Sequence, residues 1–378
     1  MATVKLGDIA IEAKSSNKGD KTGIRIVGLE HLTSSSVTLS SWSEDTENTF
    51  TKEFSKGDVL FGRRRAYLKK AAVAPFDGIC SGDITVIRAM KDKVDPDLLP
   101  FIIQNDYLFD FAVGKSAGSL SPRVKWTHLK EFTIDLPSMS EQSKLAETLW
   151  SINETKNAYE DLINKTDELV KSQFIEMFGD VITNEKGWRY ELLPNVTQII
   201  LGSTPKTTVD EYWDGDLKWV TPSEIEEDTL YISDTNRHIT EAGQKNARLT
   251  LMPVNTVLFS TRAPIGKTAI TASEMYCNQG FKNFVCSSSL DPVFLYCLLK
   301  YNTDYFVSLG GGTTFKELPR KIIERISISV PPIDLQNRYS EIYLQSDKSK
   351  FALQEAIKDL DALSKKIIAE NLILAGKE

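Results

Sequence analysis

Five cations and a tyrosine crowd the eight residues Arg63, Arg64, Arg65, Ala66, Tyr67, Leu68, Lys69 and Lys70. Guanidinium groups pair bidentately with phosphate oxygens or with the O6/N7 edge of guanine, and a nearby tyrosine can pack on a sugar or base. A solvated corner between two strands is the plain alternative. A second group, Lys115, Ser116, Gly118 and Ser119 with Arg123 and Lys125, combines small residues with hydroxyls and cations suited to phosphate. Its counterpart is the glycine run Gly310–Gly312 followed by Thr313, Thr314, Lys316 and Arg320. Both loops read equally well as flexible connections. Lys245, Asn246 and Arg248, with Arg262 and Lys267, supply fewer cations, although Asn and Arg read base edges well.

Residues for bond-making chemistry are harder to find. The chain lacks G-x-x-x-x-G-K-[ST], H-E-x-x-H and G-x-S-x-G. His31, His128 and His238 stand far apart and suit ordinary polar roles. Cys80, Cys277, Cys286 and Cys297 form no C-x-x-C and no metal-ligand spacing, so they read as reduced thiols. Trp213 and Trp219 read as core and turn, and Lys206 as a solvated loop lysine. The pattern favours binding over catalysis, with no metal site. A net charge of −7 does not by itself predict a nucleic-acid partner, so the case rests on local charge. With neither a membrane-length apolar run nor a signal-peptide core at Met1–Asp8, the expected compartment is the cytoplasm.

The elements that must hold these clusters show a repeat. Across 378 residues, β-branched or aromatic runs bounded by polar turns alternate with apolar helical segments, which predicts a mixed α/β (α+β) fold. Expected strands include Ile24–Val27, Val59–Phe61, Ala71–Val73 and Ile84–Ile87, with a buried helix over Asp95–Phe111. From Ser138 to Phe178 no proline or glycine occurs, and apolar residues recur at helical spacing behind a Ser138/Glu141 capping box. Nearly two hundred residues later the order returns. Gly57–Phe61 matches Asn255–Phe259, with Arg64 on Arg262, Lys69 on Lys267, Ala71 on Ala269, Cys80 near Cys277 and Gln142 on Gln336. A second long helix is expected from Asp334 to about Leu372. The plan is a globular domain over 1–137, a long helix over 138–180, a linker over 181–187, a second domain over 188–331 and a second long helix over 332–378. Two such helices with apolar stripes are expected to run antiparallel as a coiled coil with pseudo-two-fold symmetry. Lys156 and Lys350 interrupt the stripes at matching places, either as solvated residues at a bend or as marks of a docking partner.

Gly57–Tyr67, Phe76–Cys80, Leu136-Pro137 before Glu141-Gln142, Gly202–Pro205, Tyr212-Trp213, Trp219–Pro222 and Val330–Pro332 leading to Gln336 together resemble the specificity subunit of type I restriction–modification systems. The resemblance covers essentially the whole chain. It implies two target-recognition domains that each read half of a split site in double-stranded DNA, and a helical pair that fixes the gap. It also implies no catalysis by this chain. Two modification subunits that methylate adenine with S-adenosylmethionine would dock on it, and restriction subunits using ATP and Mg could join. No cofactor is expected on this chain. The second copy has Thr261 and Arg262 where the first has the arginine triplet, so an asymmetric bipartite target is expected. The family's base-contacting positions vary, so the site residues named above rest on their own chemistry. The alternatives are a DNA-binding component of another restriction or phage-defence complex, and a coiled-coil scaffold without a DNA role.

Overall fold

The alternating runs fall into strands, and the bounding turns set their pairing. The computed structural model describes residues 2–44, 47–262, 264–311 and 317–372. Contacts divide the chain into Met1–Leu162 with Leu353–Glu378 (unit 1) and Ile163–Ala352 (unit 2). The division falls inside both long helices, so each unit contains a segment of each.

In unit 1, Ala10–Glu12, Ile84–Ala89, Val59–Gly62 and Ala71–Val73 form an antiparallel sheet in that order. Arg25–Val27, Gly78–Cys80 and Lys52–Phe54 form a second sheet, whose first two strands are parallel. Ala2–Lys5, a strand that alternation does not announce, pairs with Thr133–Leu136. The run expected as one helix over Asp95–Phe111 is instead two, Leu99–Ile103 and Asp106–Gly114. Asn105 makes the break: its backbone is extended and its side chain caps the second helix by accepting from the Tyr107 N–H at 2.9 Å.

Unit 2 repeats the pairing. Thr197–Leu201, Lys282–Cys286, Thr256–Phe259 and Thr268–Thr271 lie in the matching order, with Tyr231–Ile232 added at the edge. The Arg189–Leu192/Ser327–Val330 pair answers the Ala2–Lys5/Thr133–Leu136 pair. Backbone hydrogen bonds correct one part of the sequence register. Gly62 donates to the Lys70 carbonyl and Ser260 to that of Lys267, both at 2.8 Å, while Phe61 pairs with Ala71 and Phe259 with Thr268. Lys267 therefore answers Lys70 rather than Lys69, and Ala269 answers Ala72. The second hairpin is one residue shorter at its turn, and that slips the two matches just beyond it, while Cys80 with Cys277 and Gln142 with Gln336 hold.

The long helices run Met139–Phe178 and Ile333–Asn371, 40 and 39 residues, or about 60 Å each. The Ser138/Glu141 capping box is present: the Ser138 N–H donates to Glu141 Oε2 at 2.9 Å, and the Glu141 N–H reaches Ser138 Oγ at 3.4 Å. Gly179, at φ 71°, ends the first helix in the left-handed region that glycine adopts without penalty. Gln142 and Gln336 are buried and do the same work. Each accepts from the backbone N–H that opens the earlier helical pair (Asp95, 3.0 Å; Asp291, 2.9 Å) and donates to the proline carbonyl before its own helix.

Within each unit the helix segments run in opposite directions. In unit 1, Leu145 and Leu149 share a core with Ile368 and Leu372, and Lys156 pairs with Asp361 at 2.9 Å. In unit 2, Val170, Phe174 and Phe178 pack with Tyr339 and Tyr343, and Lys350 pairs with Asp167 at 2.5 Å. The two interrupting lysines are therefore not solvated at a bend. Each reaches an aspartate on the facing helix, and the Lys350 side chain is only 9% exposed.

Candidate nucleic-acid interface

In unit 1 the two cationic clusters, some fifty residues apart in sequence, form one surface. Arg63–Arg65 leave the end of the inner strand Val59–Gly62 and meet the returning segment Ser121–Val124. The Arg65 N–H donates to the Pro122 carbonyl at 2.8 Å, and the Val124 N–H to that of Arg63 at 3.0 Å. Ala117 and Arg123 bond each other's backbone, which closes the Lys115–Arg123 loop. Gly118, at φ 116°, holds a conformation there that favours glycine.

Asp83 lies beneath this meeting point. Its carboxylate accepts from Arg123 Nε at 2.7 Å and Nη2 at 3.3 Å, and from Arg64 Nη1 at 3.4 Å, while Arg64 Nε donates to Ser121 Oγ. The hydrogen bond from Arg123, then its charge and that of Arg64, hold the Asp83 carboxyl below its ordinary value. Arg65 caps a short turn in the left-handed region, and it and Tyr67 are exposed. Arg63 is partly buried, with its Nε lacking a partner among the described residues. Lys115, Ser119 and Lys125 are exposed, and Ser116 turns back to the Ala112 carbonyl at 2.8 Å.

Two cations of the expected set are committed within the fold. Lys70 Nζ donates to the Leu29 carbonyl at 2.8 Å, tying down a 3₁₀ turn. Its counterpart Lys267 donates to the Pro222 and Ile225 carbonyls at 3.0 and 2.7 Å, across the matching turn. Their charges hold backbone, which removes them from the open surface. Lys69 pairs with Asp106 at 2.6 Å, and Lys365 of the second helix shares that carboxylate at 3.0 Å.

Unit 2 builds the same backbone with different charges. The Thr261 N–H donates to the Gly280 carbonyl as that of Arg63 does to Asp83, and the Leu318 N–H to Thr261 as that of Val124 does to Arg63. Gly311 and Glu317 exchange backbone hydrogen bonds as Ala117 and Arg123 do. Glu317 thus occupies the position of Arg123, and its Oε1 lies 3.2 Å from Arg262 Nε. Lys282, buried on the neighbouring strand, donates to Thr261 Oγ1 at 3.2 Å. Burial lowers the Lys282 pKa, and the Glu317 carboxylate works against that shift. Thr313, Thr314 and Lys316, expected as contacts, lie outside the described residues, as does Ala263. Lys245, Asn246 and Arg248 are exposed on and just after the helix Glu241–Ala247, which packs in a separate layer around Trp213 and Trp219. Arg248 is its left-handed C-cap and Lys245 pairs with Glu241 at 3.2 Å.

Sequence reading passed over Asp83, Ser121, Glu317 and Lys282, because nothing in a single carboxylate or serine marks it as the partner of a distant arginine. It also passed over Arg237, which stacks 3.8 Å above the Trp213 ring, and Arg25, 4.6 Å from that of Phe76. All four cysteines are free. Burial pushes the Cys80 and Cys277 thiols up to about 12. Among the described residues no cluster of His, Cys, Asp or Glu suits a metal ion, and no helix is long and apolar enough to cross a membrane.

The family model for the type I restriction modification DNA specificity domain matches residues 1–168 and again 185–360. The type I restriction enzyme MjaIX specificity subunit of Methanocaldococcus jannaschii is 34% identical over 160 residues, which is 42% of this chain and 37% of that protein. This chain therefore aligns to little more than a third of that relative's length. The putative type I restriction enzyme MjaX specificity subunit of the same organism is 20% identical over 95% of this chain and 88% of its own length. Two solved structures share the fold. The type I restriction–modification S subunit from M. genitalium has a TM-score of 0.62 at 12% identity, covering 100% of this chain and 96% of that one. A chain from a type I R-M system, solved to explain its assembly and conformational transition, has a TM-score of 0.61 at 22% identity, covering 98% and 97%.

Proposed function

This chain belongs to the type I restriction–modification DNA specificity family, and on that premise we propose that it is the DNA-recognition subunit of such a complex, reading an asymmetric bipartite site. The observation that carries the reading is the cationic turn. It stands at the same register in both matched domains, joined to the same returning loop, yet it carries different side chains in each. Equivalent scaffolds with unlike charges suit two half-sites of unlike sequence.

In this reading the target-recognition domains are 1–137 and 188–331. The spacer helices lie in 138–180 and 332–378, of which 373–378 are outside the described residues, and run antiparallel as a pseudo-two-fold coiled coil, with 181–187 as the linker. The opposed segments inside each unit support that arrangement. The rods hold the two readers apart by about one or two turns of duplex, each about 34–36 Å. Contacts come from Arg64, Arg65, Tyr67, Lys115, Ser119, Arg123 and Lys125 in the first domain and from Arg262 in the second, with Lys245, Asn246 and Arg248 as further candidates. Specificity subunits of type I systems are in general non-catalytic. Here two modification subunits methylate adenine with S-adenosylmethionine, and restriction subunits bring ATP and Mg, all in the cytoplasm. A net charge of −7 fits a subunit that binds DNA weakly alone and gains affinity from its partners.

Mapping methylated adenines genome-wide, with and without this gene, tests the proposal. A bipartite motif that disappears with the gene is expected. An unchanged methylation pattern would overturn it.

A further inference from the structure

In both units a carboxylate lies against the turn arginine, but its place in the chain differs. Unit 1 takes the acid from the turn that leads into Ile84–Ala89, Asp83, which also holds a cation of the returning segment, Arg123. Unit 2 takes the acid from the returning segment, Glu317, whose Oε1 lies 3.2 Å from Arg262 Nε, while Lys282 on the neighbouring strand donates to Thr261 Oγ1 at 3.2 Å. The shared member is the turn arginine, Arg64 or Arg262. The place of the acid differs while its contact with the turn arginine is kept in both units.

Stability alone gives little reason for that. Ion pairs this exposed are typically worth about 0–1 kcal/mol, and a carboxylate on a face that meets a polyanion weakens binding to every DNA sequence. What the acid supplies is order. A guanidinium has five donors, and Asp83 and Ser121 engage Arg64 only at Nη1 and Nε, so its Nη2 edge has no partner among the described residues. Arg123 likewise uses Nε and Nη2 and keeps Nη1. Arginines fixed in this way lose less side-chain freedom when they bind, and they cannot swing to whichever phosphate is nearest.

We propose that Asp83 and Glu317 are positioning residues for sequence discrimination: each fixes the turn arginine of its own domain so that the free edge meets one half-site. The inference rests on the reading that these turns face DNA.

The test uses the chain assembled with its modification subunits, comparing binding to the cognate site with binding to duplexes altered in one half-site. Asp83→Asn is expected to bind non-cognate DNA at least as tightly as the parent while losing roughly tenfold or more of its discrimination at one half-site. Glu317→Gln should do the same at the other half-site only. Asp83→Glu, which keeps the charge, should recover part of the loss. A uniform loss across all sequences, or unchanged discrimination, would overturn the inference. The double variant Arg64→Ala/Arg123→Ala separates the two levels. If it leaves DNA binding untouched, the DNA-facing reading itself fails. If it weakens binding while Asp83→Asn leaves discrimination intact, only the positioning role fails.

Discussion

The two units share a backbone and differ in what fills it. At the turn, unit 1 places three consecutive arginines over Asp83 and Arg123, whereas unit 2 has Thr261 and Arg262 over Glu317 and Lys282. At the helix seam the contrast lies in the core. Unit 1 closes it with Leu145, Leu149, Ile368 and Leu372. Unit 2 closes it with Phe174, which touches the rings of Phe178, Phe294, Tyr301 and Tyr339 at 5.0–5.5 Å. Backbone pairing survives both exchanges, because ladder hydrogen bonds and the Gln142/Gln336 clamps do not depend on which side chains fill the face. A scaffold of this kind can change what it reads without changing how it folds.

The seam should give the largest effect. Phe174 is 2% exposed, and replacing it with alanine removes ring contacts on four sides, so Phe174→Ala should cost unit 2 about 3–5 kcal/mol. Leu149→Ala in unit 1 falls in a range of about 2–5 kcal/mol and should come out lower, since it forfeits no ring–ring contacts. Hydrogen exchange, read separately over the two units, measures both. Equal losses would erase the aromatic–aliphatic distinction.

Much of this was legible in the sequence. The Ser138/Glu141 box and the unbroken apolar spacing marked the first long helix, because capping and periodicity are local properties. The order of strands was legible through the repeat. What failed was non-local or turned on a single residue. The Lys69–Lys267 match slipped because a turn one residue shorter leaves the flanking composition unchanged. The 95–111 helix broke at Asn105, whose capping geometry competes with an otherwise helical apolar pattern. Lys156 and Lys350 read as interruptions because their aspartate partners lie on another helix. The clusters at Arg63–Arg65 and Lys115–Arg123 looked like separate candidates, and only backbone bonds such as Val124 to Arg63 make them one face.

The charge difference at the turns makes the next prediction. Each phosphate neutralised contributes about 0.9 to the slope of log K against log salt. Replacing Arg63, Arg64 and Arg65 together by alanine should make the slope for the assembled complex shallower by about 2, since the Arg63 Nε is buried, while Arg262→Ala should change it by about 1. Binding titrations between low and moderate salt measure this. Equal changes would mean that the two domains use the turn alike.

The helix-seam ion pairs should differ by less. Removing Asp167 leaves the Lys350 ammonium in a site where its side chain is 9% exposed, and Asp167→Ala should cost about 1–3 kcal/mol. Asp361→Ala strands Lys156, which is 19% exposed and closer to water, and should cost about 1 kcal/mol or less. Denaturant unfolding with exchange readouts in each unit compares them. A larger loss for Asp361→Ala would reverse the ranking and place the buried charge in unit 1.

The smallest effect concerns acid. The Asp83 carboxyl is held below its ordinary value of 3.8 by Arg123 and Arg64. As pH falls, the unfolded chain therefore takes up this proton before the folded one does. The stabilisation from the triad is whole above about 3.8 and is lost as pH drops through the lower, folded value. Its visible reporters are the Arg65 and Val124 amides, which bond the Pro122 and Arg63 carbonyls across the junction. Their exchange, corrected for intrinsic rates, should be protected evenly above pH 4 and should lose protection below it. Asp83→Asn should flatten that dependence. If the variant keeps the acid-sensitive step, the junction is held by its backbone alone and the carboxylate has no part in shaping it.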